Sequence, residues 1–379
     1  MKVLHVSAAG ERGGLEVVLL NFLRRLDRSR FTPYALFLED GPFIREVKDT
    51  ATETHVIDAG RVRQILKTSK AVGMVARLIR SQRIDLVHTW NAKAHIYGGL
   101  AAALTGVPTL YHLHGVPRMT ISRDGLVSLL SVAAPARCTV ACSAYVAGEF
   151  RRAWHSRREL EVVYNGTMPC VSTVREPRSI RAEFGIPDVA SIIVMATRLQ
   201  RWKGVHIFLD AAARVLKSHP EAFFIVVGGT LFGLEQAYAL ELHQQVERLK
   251  LNRSVCLAGF RSDVNPFYSA ADIVVHSSIE PEPFGMVLIE AMACAKPVIA
   301  SDSGGPREIV ETGVTGLLVP PRDPEALAQA ILALLRDPDR RVQMGRAGAA
   351  RVRACFSTEH MVGQLQALYE EMLDRDSAA

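Results

Sequence analysis

No Cys-x-x-Cys pair occurs in this 379-residue chain, and its six cysteines (138, 142, 170, 256, 294 and 355) form no metal-ligand cluster with histidine. Zinc-ribbon and thioredoxin-type readings are thereby excluded, and reduced, mostly buried thiols are expected. No basic run interleaved with aromatics is present, and no nucleic-acid module signature, so no nucleic-acid partner is expected. The first glycine loop lacks G-x-G-x-x-G, which argues against a dinucleotide oxidoreductase. No secretory leader is expected, since Met1 to Val6 reads as a strand. Ala94 to Pro117 has no Lys, Arg, Asp or Glu and is long enough to suggest a membrane span. His95, Gly98-Gly99, Gly106, Pro108, His112 and His114 within it indicate a helix, a turn and a strand instead. A cytoplasmic protein is expected, with a peripheral place on the membrane face as the second expectation.

What is present is the composition of a soluble globular protein, 49% apolar and 22% charged. The length exceeds what one core fills, so two domains are expected. The net charge of +6 is uneven: residues 1–170 carry 23 basic and 14 acidic side chains, the remainder 22 and 25. A basic first half suits an anionic membrane or a phosphorylated substrate, although solvated helix faces such as Arg24-Arg25 and Arg151-Arg152 account for part of it.

Short β-branched runs alternate with helical stretches, the pattern of parallel sheets with crossover helices. Six such runs lie in the first half, from Val3–Val6 to Thr139–Cys142. Six more follow from Ile192–Met195 to Gly316–Val319. The expected architecture is α/β, two Rossmann-like doubly wound domains over residues 1–170 and 171–355. The proline-bounded stretch Met168–Pro177 is the expected linker. A closing helix over 356–379, with Met361, Leu365, Leu368 and Met372 on its apolar side, could pack on either domain. Ligands of such sheets bind outside the carboxyl ends of the strands.

Loops at those ends carry groups suited to a diphosphate. Gly13 and Gly14 allow close backbone approach before a helix. Arg198 and Lys203, after the first strand of the second half, offer a planar fork and a point charge. Phe284, Gly285 and Met286 open a helix whose first N–H groups lack intrahelical acceptors. That helix also carries Glu290 inside an apolar run, an expensive place for a carboxylate without a partner. Glu282 lies before it, with seven residues between the two acids.

The combination resembles the GT-B retaining glycosyltransferases of family 4 (group 1) over nearly the whole chain. Its most specific part is Glu282-Pro283-Phe284-Gly285 followed by Glu290. Gly13-Gly14, His114-Gly115, Asn165-Gly166, Arg198 with Lys203-Gly204, Gly259-Phe260, Gly304-Gly305 and Gly313 support it in the same order. The resemblance implies a GT-B fold and transfer of a sugar from a nucleotide diphosphate sugar, UDP-sugar favoured, to a hydroxyl acceptor. Synthesis of cell-surface polysaccharide, glycolipid or another glycoconjugate is the implied setting. Glu290 would take the ribose hydroxyls, Glu282 the transferred sugar and His114 the sugar hydroxyls or the oxocarbenium-like centre. Arg198, Lys203, Gly13, Gly14, Phe260, Phe284, Gly285 and Met286 complete the expected donor site, with His112 as a decoy for His114. No metal and no cofactor are expected, because cationic groups already meet the diphosphate.

The expected acceptor is a sugar or a lipid-linked compound held by the first domain, with loops 61–70 and 117–137 as candidates. Leu126, Val127, Leu129, Leu130 and Val132, flanked by Arg118, Arg123 and Arg137, read either as a basic amphipathic surface or as an ordinary buried helix. Two other readings share the architecture: a non-hydrolysing nucleotide-sugar epimerase and a non-catalytic nucleotide-sugar binding module.

Overall fold

The computed structural model describes residues 1–8, 10, 13–116, 123–154, 160–170, 177–230 and 235–377. Its contacts divide the chain into two units, Met1–Gly166 together with Thr358–Ala379, and Thr167–Ser357. Most of the expected linker lies outside the described residues.

In the first unit seven strands form one parallel sheet: β1 (Lys2–Ser7), β2 (Thr32–Phe37), β3 (Glu53–Val56), β4 (Leu86–Thr89), β5 (Thr109–Leu113), β6 (Cys138–Ala141) and β7 (Leu160–Val162). Their order is β3-β2-β1-β4-β5-β6-β7, so the winding reverses between β1 and β4. Strand β7 escapes sequence reading because three residues, Leu160-Glu161-Val162, make too short an apolar run to register. Side chains alternate across the pleat. Leu4, Val6 and Val87 face a core shared with Val72, Val75, Ile79 and Ile96. His5 and His88, paired in register, belong to the other face, where Phe22 of the helix Gly14–Arg25 and Tyr369 of the helix Thr358–Ser377 meet their rings.

The closing helix is fastened by an Arg25–Glu359 ion pair at 3.1 Å, an Arg30–Glu370 ion pair, and a hydrogen bond of 2.9 Å from the Asp27 N–H to Gln366 Oε1. Met361, Leu365, Tyr369 and Met372 form its buried stripe.

The helix Arg123–Ala133 is turned against its hydrophobicity. Ser128 and Ser131 face inward, with Ser131 accepting from the Tyr111 hydroxyl at 3.2 Å, while Leu126, Leu129 and Leu130 are exposed. An ordinary buried helix therefore does not describe it. Arg118 lies outside the described residues.

The second unit has six parallel strands: β8 (Ile192–Ala196), β9 (Phe223–Val227), β10 (Val255–Leu257), β11 (Ile273–His276), β12 (Val298–Ser301) and β13 (Gly316–Val319). Their order, β10-β9-β8-β11-β12-β13, reverses between β8 and β11. Near-continuous apolar runs such as Ile193-Val194-Met195 are what a sheet covered on both faces requires. Among the described residues no helix is long and apolar enough to cross a membrane.

The expectation of six reduced cysteines is corrected. Cys170 and Cys294 form a disulfide, with Cα atoms 5.0 Å apart across a sequence separation of 124. Spacing along the chain cannot reveal such a pair, because only the fold brings the end of the helix Met286–Ala293 beside the segment that follows Thr167.

Candidate active site

The reversal between β8 and β11 creates a gap at the carboxyl ends of the second sheet, the ordinary location for a ligand in such folds. Two loops border it. After β8 comes Thr197–Gly204, including a 3₁₀ turn over Arg201–Lys203; after β11 comes Ser277–Gly285. They are joined by the Ile279 N–H to the Trp202 carbonyl at 2.8 Å and by the Ser277 hydroxyl to the Gly204 carbonyl at 3.0 Å. Gly204 has φ of 72°, and a Cβ there would lie 2.0 Å from the Ser277 carbonyl oxygen, so only glycine lets the loops close.

This junction puts Lys203 against Glu282. The ammonium donates to both carboxylate oxygens, at 2.7 and 2.6 Å, with the two side chains 12% and 13% exposed. His276 Nε2 lies 3.2 Å from Glu282 Oε2, and the Ser278 hydroxyl donates to the same oxygen at 3.1 Å. Burial is the largest influence on Glu282 and opposes its charge. The Lys203 charge and the His276 hydrogen bond together outweigh it, holding the carboxyl well below the usual range. For Lys203 burial is again the largest influence and lowers its pKa, while the Glu282 charge opposes that shift. The pair is thus an ammonium and a carboxylate, each needed to keep the other charged in a poorly solvated place.

The loop carrying Glu282 is fixed from the far side. The Gly305 N–H donates to the Glu282 carbonyl at 2.8 Å, and added Cβ atoms at Gly304 and Gly305 would fall 2.3 Å from Glu282 O and 2.5 Å from Phe284 Cα. The Gly304-Gly305 pair is therefore a packing requirement of the Glu282 loop.

Glu290 stands just over one turn after Met286 in the helix Met286–Ala293 and is half-buried. Its Oε2 accepts from the Tyr268 hydroxyl at 3.0 Å. Tyr268 is fully buried, and burial followed by the Glu290 charge raises its pKa well above the ordinary value, so the phenol keeps its proton and donates. Gly285 begins the helix at φ of 116°, with no side-chain cap and no acid in the first turn. An anion is the complement of such an end.

Arg198 is exposed in the loop after β8, and Phe260, after β10, is 58% exposed. Phe284 is buried and Met286 half-buried. These residues share the second unit with Lys203, Glu282 and Glu290.

Gly13, Gly14 and His114 belong to the first unit. Gly13 precedes the helix Gly14–Arg25 with φ of −135°, and a Cβ on it would approach Glu16 Oε2 to 2.7 Å. Glu11 and Arg12 lie outside the described residues. His114 follows β5 with its Nε2 shut off from solvent and unpartnered among the described residues; burial lowers its imidazole pKa to about 3. His112, treated as a decoy, is fully buried with its ring 4.0 Å from that of His114.

Sequence reading missed His276, Ser278 and Tyr268. A histidine ending the run Ile273-Val274-Val275, six residues before Glu282, is the one local signal, whereas Tyr268 shows only as a core aromatic. Among the described residues no group of three or more His, Cys, Asp or Glu is placed to hold a metal ion. The chain contains two Asp-x-Asp triplets, Asp337-Pro338-Asp339 and Asp374-Arg375-Asp376. Asp337 is committed to capping the helix Pro338–Cys355 through the Arg340 N–H at 2.9 Å.

Comparison with known proteins bears on both units. The family model described as Glycosyl transferases group 1 matches residues 177–351, and that described as Glycosyltransferase Family 4 matches residues 12–168. D-inositol 3-phosphate glycosyltransferase 1 of Catenulispora acidiphila is 28% identical, the match covering 96% of this chain and 92% of the relative. N-acetyl-alpha-D-glucosaminyl L-malate synthase of Bacillus anthracis is 26% identical over 80% of this chain and 78% of its own. The crystal structure of HepE from Anabaena in complex with UDP-glucose superposes with a TM-score of 0.87 at 29% identity, covering 98% of this chain and all of that one.

Proposed function

The chain belongs to the group 1 glycosyltransferases of family 4, enzymes of GT-B fold, and from that premise we propose retaining, metal-independent transfer from a UDP-sugar to a hydroxyl acceptor. The observation that carries this reading is the Lys203–Glu282–His276 cluster at the strand-order reversal, beside an uncapped helix that presents Glu290. The UDP-glucose complex of the similar Anabaena protein supports the choice of base.

In this reading the bond from the anomeric carbon to the β-phosphate oxygen breaks and its electron pair stays on that oxygen. Arg198, Lys203 and the first N–H groups of the helix Met286–Ala293 meet the charge that develops there. The acceptor oxygen bonds to the anomeric carbon from the face the phosphate leaves, and its proton passes to the departing phosphate oxygen. Lys203 has three N–H donors and uses two on Glu282, so one remains for phosphate while the pair persists. Glu282 is assigned the sugar, Glu290 the ribose hydroxyls, and His114 the sugar hydroxyls as a neutral ring.

The acceptor is proposed to carry negative charge. The basic surplus of residues 1–170 supports that, as do the inositol phosphate and malate in the names of two relatives. A lipid-linked phosphate acceptor of glycoconjugate synthesis has the same chemistry, and the exposed Leu126, Leu129 and Leu130 would suit a cytoplasmic membrane surface.

Incubation with labelled UDP-sugars and a panel of anionic acceptors, with and without chelator, tests the proposal. Acceptor-dependent release of UDP that survives chelation is expected, with the anomeric configuration retained by NMR. Isomerisation of the sugar without acceptor would establish an epimerase instead, and inverted product would sink the mechanism.

A further inference from the structure

One face of the first sheet carries a histidine string that the proposed chemistry leaves unused. Tyr369, on the helix Thr358–Ser377, sits with its hydroxyl 2.5 Å from His88 Nδ1. His88 Nε2 in turn lies 3.3 Å from His112 Nδ1. All three side chains are fully buried, and the His112 ring packs 4.0 Å from that of His114. Trp90 lines the string, stacked on His88 at 4.3 Å and on His114 at 5.7 Å, with its Nε1–H given to His5 Nδ1 at 3.3 Å.

One arrangement of the protons in this string leaves the phenol's proton with an acceptor. Burial holds the Tyr369 phenol well above its ordinary pKa, so it keeps its proton, and His88 Nδ1 is the hydroxyl's one partner among the described residues. Donation by the hydroxyl gives its proton an acceptor, which the reverse direction does not, and makes His88 Nδ1 the bare nitrogen. Burial keeps His88 and His112 neutral, so each ring has one N–H. For His88 it must be on Nε2, which donates to His112 Nδ1. His112 is then the Nε2–H tautomer as well, and that nitrogen has no partner among the described residues.

We propose that Tyr369, His88 and His112 are positioning residues for His114, a string in which one phenol on the closing helix fixes two imidazole tautomers and, through the packing of the His112 ring at 4.0 Å, the orientation of the His114 ring. This rests on the role of His114 proposed above. Buried rings linked in this way change tautomer together, because a flipped His88 would set two bare nitrogens or two N–H groups against each other.

The test is imidazole ¹⁵N NMR on the full chain with labelled histidine, beside steady-state kinetics, for wild type, Tyr369→Phe, His88→Gln and His88→Leu. Wild type should show Nε2–H for both His88 and His112. Tyr369→Phe should shift His112 toward Nδ1–H and lower kcat on the order of 10- to 100-fold, with KM for the donor little changed. His88→Gln keeps an amide donor in the Nε2 position, so it should retain the His112 tautomer and most of kcat, and adding Tyr369→Phe should then do nothing further. His88→Leu should lose kcat as Tyr369→Phe does, which keeps the proposal testable if the phenylalanine variant does not fold. Unchanged His112 tautomers in both Tyr369→Phe and His88→Leu, or shifted tautomers with unchanged kcat, overturn the proposal. A chain that transfers no sugar but shows the tautomer shift leaves the string intact and refutes the glycosyltransfer reading.

Discussion

Lys203 Nζ lies 2.6 and 2.7 Å from the two carboxylate oxygens of Glu282, a two-pronged contact made where both side chains are nearly shut off from water. Removing one partner strands the other, which typically costs about 3–5 kcal/mol, whereas removing both leaves no buried charge. Thermal unfolding of Lys203→Met, Glu282→Gln and the double variant is therefore expected to be non-additive, with the double variant more stable than Lys203→Met. Additive losses would mean the pair does not depend on itself for its charge.

In catalysis the same lysine is expected to matter at the phosphate. Lys203→Ala should lower kcat/KM by about 2–4 kcal/mol, the size of a lost oxyanion donor. Unchanged steady-state kinetics would remove Lys203 from the leaving-group site.

His276 reaches Glu282 at 3.2 Å and is 4% exposed. His276→Gln keeps a donor and is expected to stay near wild type, while His276→Leu should lower kcat on the order of tenfold. Equal kinetics in both variants would show that Lys203 alone orients the carboxylate.

Tyr268 donates to Glu290 at 3.0 Å. If Glu290 holds the ribose, wild type should prefer UDP to its 2′-deoxy analogue by calorimetry, and Tyr268→Phe should shrink that preference by roughly 1–3 kcal/mol. A preference that survives the loss of this hydrogen bond would separate Glu290 from ribose recognition.

Acid should weaken the first unit selectively. Burial lowers His5 and His114 to about 3 and depresses His88 and His112 well below the ordinary value. The unfolded chain takes up those protons below pH 6.5 and the folded chain does not, so stability is complete above pH 6.5 and falls as pH drops toward 3. His5 and His114 each contribute about 1.4 kcal/mol per pH unit in that window, and His88 and His112 act in the same direction. Urea titrations between pH 7 and 4, read by fluorescence of Trp90 with the other tryptophans replaced, should show this slope, and His5→Phe should flatten it. A level profile would place these rings in contact with water.

Much of this was legible in the sequence and some of it could not be. The Glu282–Glu290 spacing and twelve of the thirteen strands are local patterns, readable because a strand buried on both faces must be apolar throughout. Tyr268, Tyr369 and the Cys170–Cys294 pair act through partners far along the chain, which no period records. Tyr369 was hidden for a further reason: Met361, Leu365 and Met372 complete an apolar stripe without it, so its hydroxyl looked incidental. Ser128 and Ser131 defeated the helical pattern outright, because both are buried, Ser131 against the Tyr111 hydroxyl, and the leucines are left outside.

The closing helix has a further consequence for synthesis. A ribosome delivers β1 to β7 early, yet the aromatic lid over His5 and His88 includes Tyr369, which follows β7 by the whole of the second unit. The nascent first half must wait, its imidazoles uncovered, while residues 167–357 emerge and fold. The unit whose strands emerge first is thus completed after the second, and a stop codon just before residue 369 would leave its aromatic lid unmade.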